Sequence, residues 1–265
     1  MHETDGQGCG RSCCPIQPLS PLWQHWHDPP GPCILEIFAG CGRLTSELRR
    51  RGFLAFAIDT CLNPNDDLLD GAVEQRIFKL IIERRVLLIW LGMPCTTFSI
   101  ARRDDGLGPG PLRSDSSPMG LPNLKAADRK KLEIGNRLLF VTIRIIVACL
   151  MVKIPFVLEN PHSSRCWITP LLQRLLGLQV CQYIHLDFCC FKESWKKPTG
   201  LLHAFVNLQS LARTCKGTRN ICSESGKRHI ALKGRAPDGR FRTLIAQPYP
   251  QALVEELTSL FAVQL

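Results

Sequence analysis

The stretch that decides the fold is Cys33-Ile34-Leu35-Glu36-Ile37-Phe38, which continues as Ala39-Gly40-Cys41-Gly42. A short apolar run that ends at glycines is typical of a buried β-strand followed by a turn. Residues 43–51 then have helical character, and Gly52 stands where such a helix would end. A strand, a glycine turn and a helix in this order predict the first unit of an α/β sheet.

The same alternation continues along the chain and predicts a mostly parallel sheet with helices on both faces. In such sheets, ligands bind beyond the carboxyl ends of the strands. The pattern predicts strands at 53–58, 67–70, 86–91, 156–158, 180–187 and 200–205, and helices at 73–84, 126–151, 168–176 and from Pro250 onward.

Three reactive or charged side chains follow predicted strands. Asp59 ends the strand 53–58, Cys95 follows 86–91 within Gly92-Met93-Pro94-Cys95, and Glu159 follows 156–158. Since the carboxyl ends of parallel strands share one edge of a sheet, we expect all three near the glycine turn. Cys95 is either a small buried hydrophobe or a nucleophile, and the stiff Pro94 beside it favours an outward thiol.

The acids in this pattern have alternative roles. Glu159 is costly to bury without a partner, so it is either a site residue or one half of a structural ion pair with a loop arginine. Asp59 is placed to accept hydrogen bonds from ribose hydroxyls. Asp67 either holds an adenine amino group or is a solvated turn aspartate.

Charge and cysteine content limit the class of protein. The 265 residues include 33 Lys plus Arg against 23 Asp plus Glu, which gives a net charge of +10. This excess predicts a polyanionic partner such as nucleic acid, although a merely basic protein has the same composition. Fourteen cysteines without an N-terminal signal pattern predict reduced thiols inside the cell, in the nucleus or cytoplasm. The longest apolar stretch, 138–152, contains Arg144 and predicts a buried helix rather than a membrane span.

A loop rich in Pro and Gly runs from about residue 101 to residue 123 and carries Arg102, Arg103 and Arg113. A loop of this length predicts a mobile flap that closes over a phosphate backbone, and the alternative is a plain insertion. Around it we predict an irregular arm (1–31), a core (32–205), a small variable or recognition segment (206–242) and a strand-helix unit that closes the core (243–265).

The ordered pieces Phe38-x-Gly40-x-Gly42, Asp59, Pro94-Cys95 and Glu159-Asn160 resemble the cytosine-5 DNA methyltransferases over about residues 35–202. The resemblance implies a Rossmann-like class I methyltransferase fold that uses S-adenosylmethionine. It implies that Cys95 attacks carbon 6 of a flipped-out cytosine and that Glu159 contacts the ring nitrogen and exocyclic amine. It implies cofactor contacts at Phe38, Ala39, Gly40, Gly42, Asp59, Asp67 and Pro94, and substrate contacts at Ser99, Arg102, Arg103, Asn160, Lys196 and Lys197.

The chain also departs from that family. Pro161 replaces an apolar residue, and Trp195-Lys196-Lys197-Pro198-Thr199-Gly200 replaces a Gln-x-Arg-x-Arg segment. Residues 207–242 are too few for a full target-recognition domain. We therefore expect methyl transfer to carbon 5 of cytosine in DNA. The alternatives are an RNA cytosine-5 methyltransferase and an inactive relative that binds nucleic acid.

The segment near the C-terminus contains Cys215, Cys222 and His229, with Cys189 and Cys190 upstream. A structural zinc ion would stabilise so small a unit. Because no Cys-x-x-Cys pair is present, the spacing favours free thiols and no metal, with zinc as the alternative.

Overall fold

The computed structural model describes residues 26–102, 109–234 and 241–265. Arg103 and most of the predicted N-terminal arm lie outside these residues. The strands are β1 (Cys33–Ile37), β2 (Ala55–Ile58), β3 (Val86–Leu91), β4 (Phe156–Pro161), β5 (Gln182–Asp187) and β6 (Pro198–Ala204). The α-helices are α1 (Arg43–Arg50), α2 (Gly71–Ile82), α3 (Ala126–Val152), α4 (Pro170–Leu176) and α5 (Gln251–Gln264), with 3-10 turns at Arg165–Ile168, Phe188–Phe191, Gln209–Leu211 and Arg242–Ala246.

The six strands form one sheet in the order β2-β1-β3-β4-β6-β5. The first four are parallel to one another, and β6 runs antiparallel to both β4 and β5. The predicted mixed α/β fold with a mostly parallel sheet is therefore confirmed. Since β1 lies between β2 and β3, the chain order reverses there. In open α/β sheets, ligands bind beyond the carboxyl ends of the strands at such a reversal.

Two apolar layers cover the sheet. Along β1, Leu35 packs with residues of α2, α3 and α4 on one face, and Ile34 packs with α1 and α5 on the other. Both side chains are fully buried, as alternation along a strand with two covered faces requires. The sheet edge is thus held rigidly from both sides.

Helix α3 is, among the described residues, the one helix long and apolar enough by length and composition to cross a membrane. Its residues Leu139, Ile146 and Cys149 are fully buried in the core. A core helix has the same length and composition, so these properties alone do not indicate a membrane.

Helix α1 begins without a capping side chain of its own, because Gly42 occupies the N-cap. Glu36 in β1 supplies the cap: its carboxylate accepts hydrogen bonds from the backbone N–H (2.7 Å) and the hydroxyl (2.6 Å) of Thr45. Burial raises the pKa of Glu36 to about 7, although the hydrogen bonds from Thr45 act to lower it. This contact fixes the start of α1 against the strand that precedes the glycine turn.

Some predicted elements are wrong. Residues 67–70 form a turn rather than a strand, because Asp67 accepts a hydrogen bond from the backbone of Leu69 and Asp70 caps α2 through the N–H of Ala72. The strand expected after residue 243 is replaced by the 3-10 turn Arg242–Ala246. The helix predicted at 168–176 begins only at Pro170, after a separate 3-10 turn.

Trp26 falls in the arm that the sequence suggests, yet it is fully buried in the core. Its indole N–H donates to the buried Asp66 at 3.0 Å. Nearby, Arg85 forms a salt bridge with Asp28 at 2.8 Å. The core therefore includes residues that precede β1.

Candidate active site

The glycine turn leaves the end of β1 in an unusual backbone conformation. Phe38, Gly40 and Gly42 all have positive φ, at 58°, 56° and 66°. For Phe38 this conformation is costly, and such strain concentrates at functional sites. A Cβ atom built on Gly40 meets no atom within 4 Å, so open space lies beside the turn. The buried Ala39 completes a turn whose backbone a ligand can approach.

Asp59 lies at the end of β2 and holds this turn in place. Its carboxylate accepts hydrogen bonds from the N–H of Gly40 at 2.9 Å and of Cys61 at 2.7 Å. Each carboxylate oxygen has a second lone pair, so a ribose contact at Asp59 stays a prediction compatible with this geometry.

Asp67 is exposed, and its carboxylate accepts a hydrogen bond from the backbone N–H of Leu69. This agrees with the alternative that Asp67 is a solvated turn aspartate. Asp67 also borders a cavity of about 480 Å³ whose lining includes Asp70, Lys130 and Arg137. A larger cavity of about 790 Å³ lies along β5 and β6 and contains none of the predicted site residues. Size alone therefore does not identify the site.

The loop that carries Cys95 is fastened to β4. The side-chain amide of the fully buried Asn160 donates to the carbonyl of Met93 at 2.7 Å. Pro94 is exposed and Cys95 is partly exposed. Because β4 extends to Pro161, Asn160 is a strand residue and has a fixed position. The predicted substrate role of Asn160 is untested, and the structure shows that it positions the cysteine loop.

Glu159 also lies within β4, one residue beyond the pairing of Leu91 with Leu158. Its side chain is buried, with one carboxylate oxygen 3.4 Å from the hydroxyl of Tyr249 and the other 3.9 Å from the ammonium of Lys197. Burial raises the pKa of Glu159, and both Lys197 and Tyr249 oppose that shift. The site thus holds an acid that is more easily protonated than an exposed glutamate.

Cys95, Glu159 and Lys197 act on one another electrostatically. Burial raises the pKa of the Cys95 thiol, the positive charge of Lys197 lowers it, and the carboxylate of Glu159 raises it again. Lys197 also donates to the carbonyl of Ala246 at 3.1 Å and lies 4.7 Å from the ring centre of Phe188. The structure therefore brings the predicted thiol and carboxylate within electrostatic reach of each other and of Lys197.

Tyr249 is a site residue that the sequence analysis missed. It is buried, its hydroxyl accepts a hydrogen bond from the indole of Trp90 at 2.9 Å, and the two rings meet edge to face at 5.5 Å. A Cβ atom on Gly92 would lie 2.8 Å from that hydroxyl, so Gly92 must be glycine for Tyr249 to reach Glu159. The placement of Tyr249 between Pro248 and Pro250 was the one available signal.

The loop 109–123 is packed in place in the structure, and the expected phosphate contact by Arg113 is wrong. Its buried guanidinium donates to Thr97 (2.9 Å to the hydroxyl), to the carbonyl of Pro118 (2.8 Å) and to Asn136 (2.7 Å). It also stacks over Phe98 at 3.6 Å, and burial lowers its pKa to about 10. Arg113 therefore joins the cysteine loop to α3.

The other predicted substrate residues also have partners within the chain. Arg102 donates to the carbonyl of Gly110 at 2.9 Å, and Ser99 accepts from the N–H of Ala101 at 3.1 Å. Lys196 lies 3.3 Å from a carboxylate oxygen of Asp187. Contacts of these residues with a substrate stay predictions, and Arg103 falls outside the described residues.

Comparison of the chain with protein-family models and with curated proteins gave no match. Function is therefore inferred from the geometry of this chain.

Proposed function

We propose that this protein transfers a methyl group from S-adenosylmethionine to carbon 5 of cytosine in DNA through a covalent adduct with Cys95, on a Rossmann-like class I methyltransferase fold. The observation that carries the proposal is the electrostatic interaction of Cys95, in the loop after β3, with Glu159 in β4 and with Lys197. The open turn at Gly40 ends the neighbouring strand β1. A nucleophile, an acid and a ligand turn at one sheet edge match the needs of this reaction.

The residues present fit S-adenosylmethionine. The open space beside Gly40 admits a ligand to the backbone, and Asp59 offers acceptors to ribose hydroxyls. Phe38, Ala39, Gly42 and Pro94 would line the same open space, and Asp67 borders a cavity of about 480 Å³. When bound, the cofactor would supply an electrophilic methyl group, and breaking its sulfur–methyl bond would leave the neutral thioether S-adenosylhomocysteine.

Cys95 is the proposed nucleophile. Its thiolate forms a bond to carbon 6 of the pyrimidine, and the electron pair of the 5,6 double bond moves to carbon 5, which becomes able to take a methyl group. A base then removes the carbon-5 proton, the double bond re-forms and the carbon–sulfur bond breaks. Cys95 is partly exposed, and the positive charge of Lys197 partly offsets the rise in the pKa of its thiol that burial causes.

Glu159 is the proposed acid on the opposite side of the ring. A protonated carboxyl donates a hydrogen bond to the ring nitrogen and offsets the charge that develops when the thiolate adds. Burial raises the pKa of Glu159, which favours the protonated form that this role requires. The hydroxyl of Tyr249 donates to one carboxylate oxygen, and the other oxygen is buried without a hydrogen-bond partner among the described residues, 3.9 Å from the ammonium of Lys197.

The segment 212–234 supports a nucleic-acid partner. It contains six Lys or Arg residues against the single acid Glu224. Positive side chains bind phosphates irrespective of sequence, so a basic segment beside the core suits a polyanion. All six are exposed: Arg213, Lys216, Arg219, Lys227, Arg228 and Lys233.

Transfer of labelled methyl groups from S-adenosylmethionine to DNA and to RNA, with mass-spectrometric identification of the product, tests the proposal. We expect 5-methylcytosine in DNA from the wild type and none from Cys95→Ala. Methylation confined to RNA would assign the same chemistry to the RNA alternative. Tight binding of cofactor and DNA without any transfer would overturn the enzymatic proposal in favour of an inactive relative.

A further inference from the structure

Four potential metal ligands from distant points in the chain meet on the side of the sheet formed by β5 and β6. They are Cys189 in the 3-10 turn after β5, then Cys215, Cys222 and His229. One ligand atom from each lies within 4.8 Å of all the others, and all four residues are buried. In a tetrahedral zinc site with Zn–S bonds of about 2.3 Å, the ligand atoms lie nearly 4 Å apart, which this cluster approaches.

In the segment 212–234, the buried residues are the potential metal ligands. Of its 23 residues, the buried ones are Cys215, Cys222 and His229. The apolar residues Ile221 and Ile230 are 41% and 44% exposed, so they form no core. A segment without its own hydrophobic core needs a covalent or metal cross-link to hold a fixed structure.

The backbone is arranged to present the ligands. The N–H of Cys222 donates to the carbonyl of Lys227 at 2.8 Å, and the N–H of His229 donates to the carbonyl of Asn220 at 2.8 Å, which closes a tight turn between two of the ligands. A Cβ atom on Gly217 would lie 1.8 Å from the carbonyl oxygen of Ile221. The chain can therefore close around Cys215 only with glycine at position 217.

Hydrogen bonds around Cys215 match those of a thiolate ligand. The backbone N–H and the hydroxyl of Ser223 point to its sulfur at 3.4 Å and 3.5 Å, and the ring nitrogen Nε2 of His229 lies 3.8 Å away. The backbone N–H of Cys215 donates to Asp187 at 2.8 Å. Donors aimed at a ligating sulfur are the usual outer shell of a metal site.

We propose that Cys189, Cys215, Cys222 and His229 bind one zinc ion that fastens the segment 212–234 to the sheet. Three sulfurs and one imidazole nitrogen form a ligand set that zinc prefers, and four protein ligands make the site structural rather than catalytic. The alternative of free thiols leaves unexplained why a histidine is buried among three cysteines. The zinc proposal concerns a site separate from Cys95 and does not depend on methyl transfer.

The metal content of the full chain, purified under reducing conditions without chelator, tests this site. We expect one zinc per chain in the wild type and in the control Cys181→Ser, since Cys181 is a partly buried cysteine outside the cluster. Cys222→Ser should lose the metal, and His229→Cys should keep it through a fourth thiolate. Removing zinc with a chelator should expose residues 212–234 to protease while the sheet stays intact.

A cobalt titration decides the question if Cys222→Ser fails to fold. The metal-free wild type should bind one cobalt ion with the absorption of a tetrahedral cobalt–thiolate site, and His229→Cys should strengthen the thiolate band. A wild type that contains no zinc and binds no cobalt would overturn the proposal, as would full metal content in the double variant Cys215→Ser, Cys222→Ser. Neither result depends on enzymatic activity, so failure of the zinc site is distinguishable from failure of the proposed reaction.

Discussion

The edge of the sheet that carries Cys95 and Glu159 and the segment 212–234 are held in place by different interactions. At the edge, the ladder of β3 and β4 sets the backbone, with Leu91 paired to Leu158, and apolar layers cover both faces of the sheet. In the segment, the described chain has one isolated bridge, between Ile221 and Arg228, and its buried side chains are the three proposed ligands. The comparison indicates that backbone ladders position the proposed catalytic groups, whereas the proposed side-chain coordination positions the basic segment.

The largest expected effect is the loss of methyl transfer in Cys95→Ser, a variant that should keep the fold. Cys95→Ser should lower methyl transfer by at least about a thousandfold, because an alkoxide forms far less readily than a thiolate and cannot replace it as the nucleophile. Cofactor affinity and zinc content should stay as in the wild type, since neither depends on this sulfur. Single-turnover methylation, isothermal titration with cofactor and metal analysis measure the three quantities. Turnover retained by the serine variant would contradict the adduct mechanism.

Arg113→Met tests whether the edge depends on buried polar contacts as well as on the sheet. The substitution leaves acceptors on Thr97, Pro118 and Asn136 without a donor. We expect a loss of about 3 kcal/mol or more in the free energy of unfolding, measured in urea. The matched control is the exposed Arg129→Met, which should change stability by no more than ~0.5 kcal/mol. Equal stability of the two variants would show that Arg113 has no structural role.

Lys197→Met tests the positive charge that acts on both Cys95 and Glu159, the proposed nucleophile and acid. The ammonium lowers the pKa of the Cys95 thiol and that of Glu159, so its loss raises both. The rate should rise with pH as the thiol ionises, and the variant should need a higher pH to reach the same rate. At neutral pH we expect transfer to fall about tenfold, which corresponds to ~1.4 kcal/mol.

A pH profile distinguishes this effect from a loss of DNA contacts. Lys197→Arg keeps the charge, so the rate of this variant should rise over the same pH range as that of the wild type. An unchanged profile in Lys197→Met, with weaker DNA binding alone, would instead support the phosphate contact predicted from the sequence.

The last prediction concerns Glu36, whose pKa rises from 4.5 to about 7 on burial. Between these values the folded protein holds a proton that the unfolded chain has released. The free energy of unfolding should therefore fall as pH rises through this range, by up to about 1.4 kcal/mol per pH unit from this group.

Glu36→Gln keeps an acceptor for Thr45 but cannot ionise, so this part of the slope should disappear. The exposed Glu224→Gln serves as the control and should leave the slope unchanged. Urea unfolding at several pH values measures the difference. A wild-type slope in Glu36→Gln would mean that Glu36 titrates normally.

Elements that depend on local pattern could be predicted from the sequence. Strand β3 is observed with the predicted bounds, and α3 begins at the predicted Ala126, because their apolar periodicity and flanking residues are local signals. The turn at Asp67–Asp70 was missed because two aspartates hydrogen-bond to their own backbone more readily than they pair in a strand.

Contacts between distant residues could not be predicted in this way. Tyr249 reaches Glu159 across 90 positions, and no periodicity links them. Arg113 was expected to face phosphate, since a sequence shows a charge but not the acceptors that surround it when buried. Likewise, the zinc ligands show no standard spacing because Cys189 joins the cluster through the fold rather than through the local chain.

The most direct test of the central claim is covalent capture on DNA that contains 5-fluorocytosine, in the presence of S-adenosylmethionine. The fluorine cannot leave as a cation, so the final elimination is blocked and the enzyme stays attached through Cys95. We expect the wild type to form a denaturant-resistant complex that peptide mapping places at Cys95, and we expect Cys95→Ala to form none. A wild type that binds both cofactor and DNA yet forms no complex, or attachment at another residue, would contradict the account.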